Sequence, residues 1–263
     1  MQEQKDNGGG GKKFLHRVID PVVFVGAVTL ALPGVLRRKQ RYGREFRNYF
    51  SMCGTGSLLI VVLISLLMGM VLGIQGILQM SKFGAEIFMA DLIGFAVLKE
   101  LGPMMVALTA AGRAGSAFAA EIGSMKANEE LDALRTFGVE PAGYLVLPKL
   151  AAMLLALPLL TIFGDAAGLL GGMSVGVVVG GIPAAAYWER TVAVLDVVTL
   201  LLGLGKSIFF AVVITLTGCY CGFATGGDAR GVGEGATKAV VTSIFLLVIC
   251  DALLTVLYSF IGY

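Results

Sequence analysis

Four ionisable residues stand inside apolar runs of this chain: Lys99, Glu100, Lys206 and Asp251. A charge near the centre of a bilayer costs about 2.5–3.5 kcal/mol on insertion scales, so each needs an opposite charge or a wet cavity. Counted along a helix at 1.5 Å per residue, all four fall at one depth, roughly 12–13 Å from one boundary of their runs. Two readings fit that convergence. One is a set of salt bridges that only tie helices together, Lys206 with Asp251 and Lys99 with Glu100 or a neighbour. The other is a polar patch in an apolar, outward-opening cavity, suited to a phospholipid head group. Leu72, Gln79 and Phe83 repeat at i, i+7 and i+11, which predicts one shared helical face. Arg113 lies nearer the opposite end of its run, where its head can snorkel to water, and reads as architecture.

The elements that hold these residues must be membrane helices. Apolar residues make up 57% of the 263, and charged residues only 14%, against about a quarter in an average soluble domain. Mean hydropathy is +0.86. So much apolar surface exceeds what one soluble core covers, and the surplus faces lipid. Long apolar runs lie over about 57–79, 92–120, 144–181, 197–223 and 239–260. The third, interrupted by Asp165, is too long for one ordinary span and short for two. It reads as one long span plus a partly inserted return, with Gly172, Gly176 and Gly180 as a small-residue row for close packing. The fold class is therefore all-α integral membrane with about five transmembrane helices.

Ahead of the spans, residues 1–13 read as a flexible polar tail. Residues 14–50 read as an interfacial helix, over the short apolar stretch between Pro21 and Pro33, followed by a basic juxtamembrane segment. Residues 51–263 form the transmembrane domain. Ten of the twenty Lys and Arg, but only four of the eighteen acids, fall in the first fifty residues. That asymmetry predicts a cytoplasmic N-terminus. The basic run lacks interleaved aromatics, so no nucleic-acid partner is expected. Cys53, Cys219, Cys221 and Cys250 have no metal-ligand spacing, and His16 is the single histidine, which argues against a metal centre or a histidine-based catalyst.

Between the second and third runs, Leu131, Leu134 and Phe137 recur every three residues, and Ile122 and Met125 repeat the step. Lys126, Glu129, Glu130, Asp132 and Arg135 take the other side, and Gly138 and Pro141 supply a stop. The pattern predicts an amphipathic helix over about 121–138, either resting on the membrane surface or docking a cytoplasmic partner.

The runs Leu98-Lys-Glu-Leu-Gly-Pro103, Ala111-Gly-Arg-Ala-Gly-Ser116, Ala120-Glu-Ile-Gly-Ser-Met125 and Asp132-Ala-Leu-Arg-Thr-Phe-Gly138 closely resemble the MlaE permease family. The likeness extends back to Gly69-Met-Val-Leu-Gly-Ile-Gln-Gly76 and forward through Lys206 and Asp251, covering about residues 15–260. That family supplies the membrane subunit of ABC-type lipid transporters that work with MCE-domain proteins. The resemblance implies a five-span permease in the bacterial inner membrane, working as a homodimer with a cytoplasmic ABC ATPase and an external MCE carrier. It implies that 121–138 is the coupling helix, so that Glu121, Lys126, Glu129, Glu130, Asp132, Leu134 and Arg135 receive the ATPase stroke. It also implies that Leu72, Gln79, Phe83, Lys99, Glu100, Lys206 and Asp251 line the lipid pocket.

No phosphate loop accompanies these motifs. Gly203-Leu-Gly-Lys206-Ser comes nearest, but Leu200 occupies the first glycine's place and the stretch is apolar throughout. The chain is thus expected to be non-catalytic and without a cofactor of its own, ATP and Mg being bound by the partner ATPase. The competing expectation is an ion- or proton-coupled secondary transporter or channel, with the Lys/Glu/Asp cluster as its relay and no ATPase.

Overall fold

A computed structural model describes residues 39–260 together with Gly26. The interfacial helix and the polar tail expected ahead of them lie outside the described residues. Among the described residues every regular element is helical. This suits a chain in lipid, because a helix satisfies its backbone hydrogen bonds internally. α1 (Lys39–Phe50) passes through a π-helical turn, Ser51–Thr55, into α2 (Gly56–Met80). α3 (Met89–Ala96), α4 (Gly102–Ala110) and α5 (Ser116–Ala127) form one rod joined by two more π-helical turns, Val97–Leu101 and Ala111–Gly115. α6 (Glu130–Thr136), α7 (Pro141–Val178), α8 (Ala184–Val194), α9 (Val197–Phe223) and α10 (Ala229–Phe260) follow.

Five stretches are long and apolar enough to cross a membrane: Gly43–Phe83, Glu86–Ala127, Pro141–Val178, Val197–Phe223 and Ala229–Phe260. These are the first to fifth spans, and they match the five-helix architecture expected from composition. They alternate in direction. The proximal end gathers Tyr49, Glu121, Lys149 and Phe223, and the distal end gathers Asp91 and Arg190.

Two details differ from expectation. The run over 144–181 contains no return, because α7 is one unbroken helix of 38 residues, about 57 Å long at 1.5 Å per residue. Asp165 does not interrupt it, because a buried side chain leaves the helical backbone ladder intact. The chain turns only after Val178, and α8 then lies against α3 at the distal end. Fully buried Tyr187 anchors it against Gly172 and Gly176, and burial pushes that phenol up to about 12. The second difference is a break in the helix expected over 121–138. α5 stops at Ala127, and Glu129 adopts a left-handed backbone with φ of 61°. Only seven residues, Glu130–Thr136, form the separate helix α6, and Gly138 closes it in the left-handed conformation favoured at helix ends.

Packing between spans relies on absent side chains. A Cβ at Gly69 would strike the Gly168 carbonyl, and one at Gly171 would strike that of Leu66, so the first and third spans touch backbone to backbone. Val106, Phe118, Met153, Leu157, Phe210 and Ile214, from the second, third and fourth spans, make the main core.

Candidate functional site

The π-helical turn Val97–Leu101 sits inside the second span and carries Lys99 and Glu100. Such a turn holds one residue more than the α-helical repeat, and it recurs at functional sites. Its Leu98 carbonyl faces Gly203 of the fourth span, where a Cβ would collide with it. That close approach brings Lys206, one turn further on, level with Glu100. On the other side, the Asp165 carboxyl lies against Gly102 just beyond the turn, and its Oδ1 is buried without a hydrogen bond among the described residues.

Lys206 is fully buried, and its Nζ donates to Glu100 Oε2, to Asp251 Oδ1 at 2.9 Å and to Thr255 Oγ1 at 2.8 Å. Thr255 Oγ1 lies 2.9 Å from the Asp251 carbonyl and 3.1 Å from Glu100 Oε1. Three spans therefore meet on one ammonium. The carboxylate side chains keep 32% (Glu100) and 23% (Asp251) of their surface exposed, whereas Lys206 keeps none. The cluster thus presents an excess of one negative charge outward, with its single cation behind. In a low-dielectric setting that arrangement suits hydrogen-bond donors and positive groups.

Of the expected pocket residues, the structure brings Glu100, Lys206 and Asp251 together but not Lys99. Lys99 Nζ sits 4.9 Å from the centre of the Phe95 ring, and among the described residues it makes no ion pair. The expected Lys99–Glu100 pairing is therefore replaced by Lys206–Glu100. Adjacent residues on a helix point about 100° apart, so the backbone that turns Glu100 to the fourth span turns Lys99 away. Leu72 is half-buried against the cluster around Met89 and Ile93. Gln79 accepts a long bond from Lys82 at 3.5 Å, and Phe83 is 79% exposed. The three do not continue one α-helical face, because α2 ends at Met80 and Phe83 belongs to a 3-10 turn, Ser81–Phe83.

The expected coupling residues divide in two. Glu121 is tied inward, accepting from Tyr49 Oη at 2.6 Å and from Lys149 Nζ at 3.1 Å. Lys126 Nζ caps the end of α9, donating to the carbonyls of Phe223 at 2.8 Å and Thr225 at 2.7 Å. Glu129 forms the left-handed break. Glu130, Asp132 and Arg135 are exposed, with Arg135 and Asp132 paired at 2.9 Å, while Leu134 packs half-buried on the core. Phe137, expected on the apolar side, is 81% exposed. Arg113 reaches Ser57 of the first span, Nη1 to Oγ 3.4 Å.

The profile of the family described as Permease MlaE matches residues 46–257, which takes in all five spans and the cluster. The chain belongs to the MlaE permease family. Its similarity to the intermembrane phospholipid transport system permease protein MlaE of Haemophilus influenzae is 35% identity over 243 residues, 91% of this chain and 93% of that protein. A probable ABC transporter permease protein of Rickettsia typhi is 37% identical over 202 residues, 77% of this chain and 78% of its own. One from Synechocystis is 35% identical over 243 residues, 92% of this chain and 90% of that protein. As an MlaE-family permease the chain is a non-catalytic, multi-pass membrane subunit, and ATP hydrolysis belongs to a partner. Family membership sets aside the self-sufficient secondary transporter.

Two polar residues of this permease escape the motif-based reading. Thr255 follows Asp251 by four positions, a spacing that places both on one helical face. Lys149 stands just inside the third apolar run, where the reasoning that singles out Lys206 applies equally.

Proposed function

We propose that this permease moves phospholipid between the bacterial inner membrane and an external MCE-type carrier, driven by a cytoplasmic ABC ATPase. The observation that carries the reading is the Lys206–Glu100–Asp251–Thr255 cluster: a buried ammonium backing two part-exposed carboxylates in the distal half of an otherwise apolar bundle. Acyl chains would lie along the apolar walls, and donors of the head group would meet the carboxylates. Leu72, Gln79, Phe83 and Lys99 belong to the same lipid pocket on the strength of the resemblance to the family. The phospholipid assignment draws support from the name of the Haemophilus relative.

The same reading puts the proximal end in the cytoplasm, an orientation that the basic residues before the first span support. The exposed charges Glu130, Asp132 and Arg135 of α6 then face the ATPase. Two copies of the chain form the working unit. Mass spectrometry of lipid carried by the purified complex, with transfer assays in proteoliposomes, tests the proposal. Wild-type complex retains phospholipid and transfers it, whereas Glu100→Ala and Asp251→Leu lower transfer while the dimer still assembles. Wild-type transfer rates in both variants would refute the site.

A further inference from the structure

The proximal end holds a second buried cation that head-group binding leaves unused. Lys149 is fully buried. Its Nζ donates to Tyr49 Oη at 2.8 Å and to Glu121 Oε1 at 3.1 Å. It also lies 4.3 Å from the centre of the Tyr49 ring and 5.8 Å from that of Phe118. Tyr49 Oη donates to the same Glu121 oxygen at 2.6 Å. One carboxylate oxygen thus joins the first, second and third spans.

The two ends of this pair differ in freedom. Glu121 keeps 37% of its side chain exposed and lines a cleft of about 200 Å³ together with Glu45, Tyr49, Met125, Tyr144 and Pro148. The carboxylate has room to leave, whereas the ammonium has nowhere to follow. Separating them strands a buried charge, so the joined arrangement is restored whenever the displacing force ends. The helix concerned is also the rod between two ends of the molecule. Beyond Glu121 it runs on to Ala127, where the turn at Glu129 links it to α6, and 21 residues in the other direction, about 31 Å along the axis, it carries Glu100.

We propose that Lys149 and Tyr49 are positioning residues of the transport stroke. They hold Glu121, and with it the second span, in one arrangement, and yield when the ATPase displaces α6. The idea rests on the permease reading above and adds to it two residues outside the head-group site and outside α6.

The test uses the intact complex, permease with its ATPase, in proteoliposomes containing fluorescent phosphatidylethanolamine. ATP turnover and lipid transferred per ATP are measured separately, with bound phospholipid read by mass spectrometry. Lys149→Met is expected to lower transfer per ATP about tenfold and Tyr49→Phe about threefold, with ATP turnover and bound lipid kept within about twofold. The double variant Lys149→Met/Glu121→Gln should transfer no less than either single one, because each already breaks the same link. Unchanged transfer per ATP in assembled Lys149→Met and Tyr49→Phe complexes overturns the proposal. So does a parallel fall in ATP turnover, bound lipid and transfer, which marks a tie that only stabilises the fold. Should Lys149→Met fail to assemble, Tyr49→Phe decides, since it removes one hydroxyl and keeps the ring. A wild-type complex with no bound or transferred phospholipid overturns the function itself, a result distinct from normal wild-type transfer with silent variants.

Discussion

Lys206 Nζ lies 2.9 Å from Asp251 Oδ1, although the two residues belong to different spans and 45 positions separate them. The ammonium is buried and the carboxylate is not, so the pair has an inner and an outer face. Glu100 and Thr255 complete the shell around the same nitrogen. The fourth span can come near enough to the second for Lys206 to reach Glu100 because residue 203 carries no side chain.

Removing the cation should be worse than removing the charges together. Lys206→Met leaves Glu100 and Asp251 side by side without a counter-charge, at an expected cost of about 3–5 kcal/mol. Lys206→Met with Glu100→Gln and Asp251→Asn should regain most of that stability but not lipid transfer. Thermal unfolding in detergent, beside a proteoliposome transfer assay, separates the two effects.

Gly203→Ala should destabilise the bundle by about 1–3 kcal/mol through overpacking against the Leu98 carbonyl. Gly112→Ala should be near neutral, because nothing lies within 4 Å of a Cβ built at Gly112. Melting temperatures of the two variants, compared with wild type, check the contrast.

Lys126→Met deprives the carbonyls of Phe223 and Thr225, at and just past the end of α9, of a charged donor, a loss of about 1.5–3 kcal/mol for such a bond. Hydrogen exchange followed by mass spectrometry should show faster exchange over residues 220–232, with the distal cluster unchanged.

A triple alanine variant at Glu130, Asp132 and Arg135 should melt within about 1 kcal/mol of wild type, because exposed ion pairs contribute little to stability. Under the proposed function it should nevertheless weaken the coupling between ATP turnover and lipid transfer. A variant with intact coupling would remove α6 from the mechanism.

Spans are legible in this chain because lipid imposes a single demand over twenty or so residues, which a run such as Ser57–Gln79 meets without ambiguity. Depth is legible too: equal distances from the run ends place Glu100, Lys206 and Asp251 at one level. Direction around the helix is not. The π-helical turn at Val97–Leu101 is signalled only by Gly102 and Pro103 just beyond it, the proline removing the donor that the Lys99 carbonyl would use in an α-helix. That marks an irregularity but not how it re-aims the side chains, so Lys99 and Glu100 part company although they are neighbours. The break at Glu129 is only half signalled. Asn128 is a poor helix former suited to a helix end, but Glu129, which takes the left-handed backbone, is a good one. The break is held by tertiary contacts: Lys126 pinned to the end of α9, with Leu131 drawn into the core. Phe83 lies beyond the helix that its spacing presumes, because the exit turn starts three residues too early.

The oxygen of Asp165 occupies the volume that a methyl group on residue 102 would need. Shortening the acid at 165 would still not admit alanine at 102, because the Val97 carbonyl lies 2.7 Å from the same point. A library that randomises both codons at once should therefore still return glycine at 102, whatever it returns at 165.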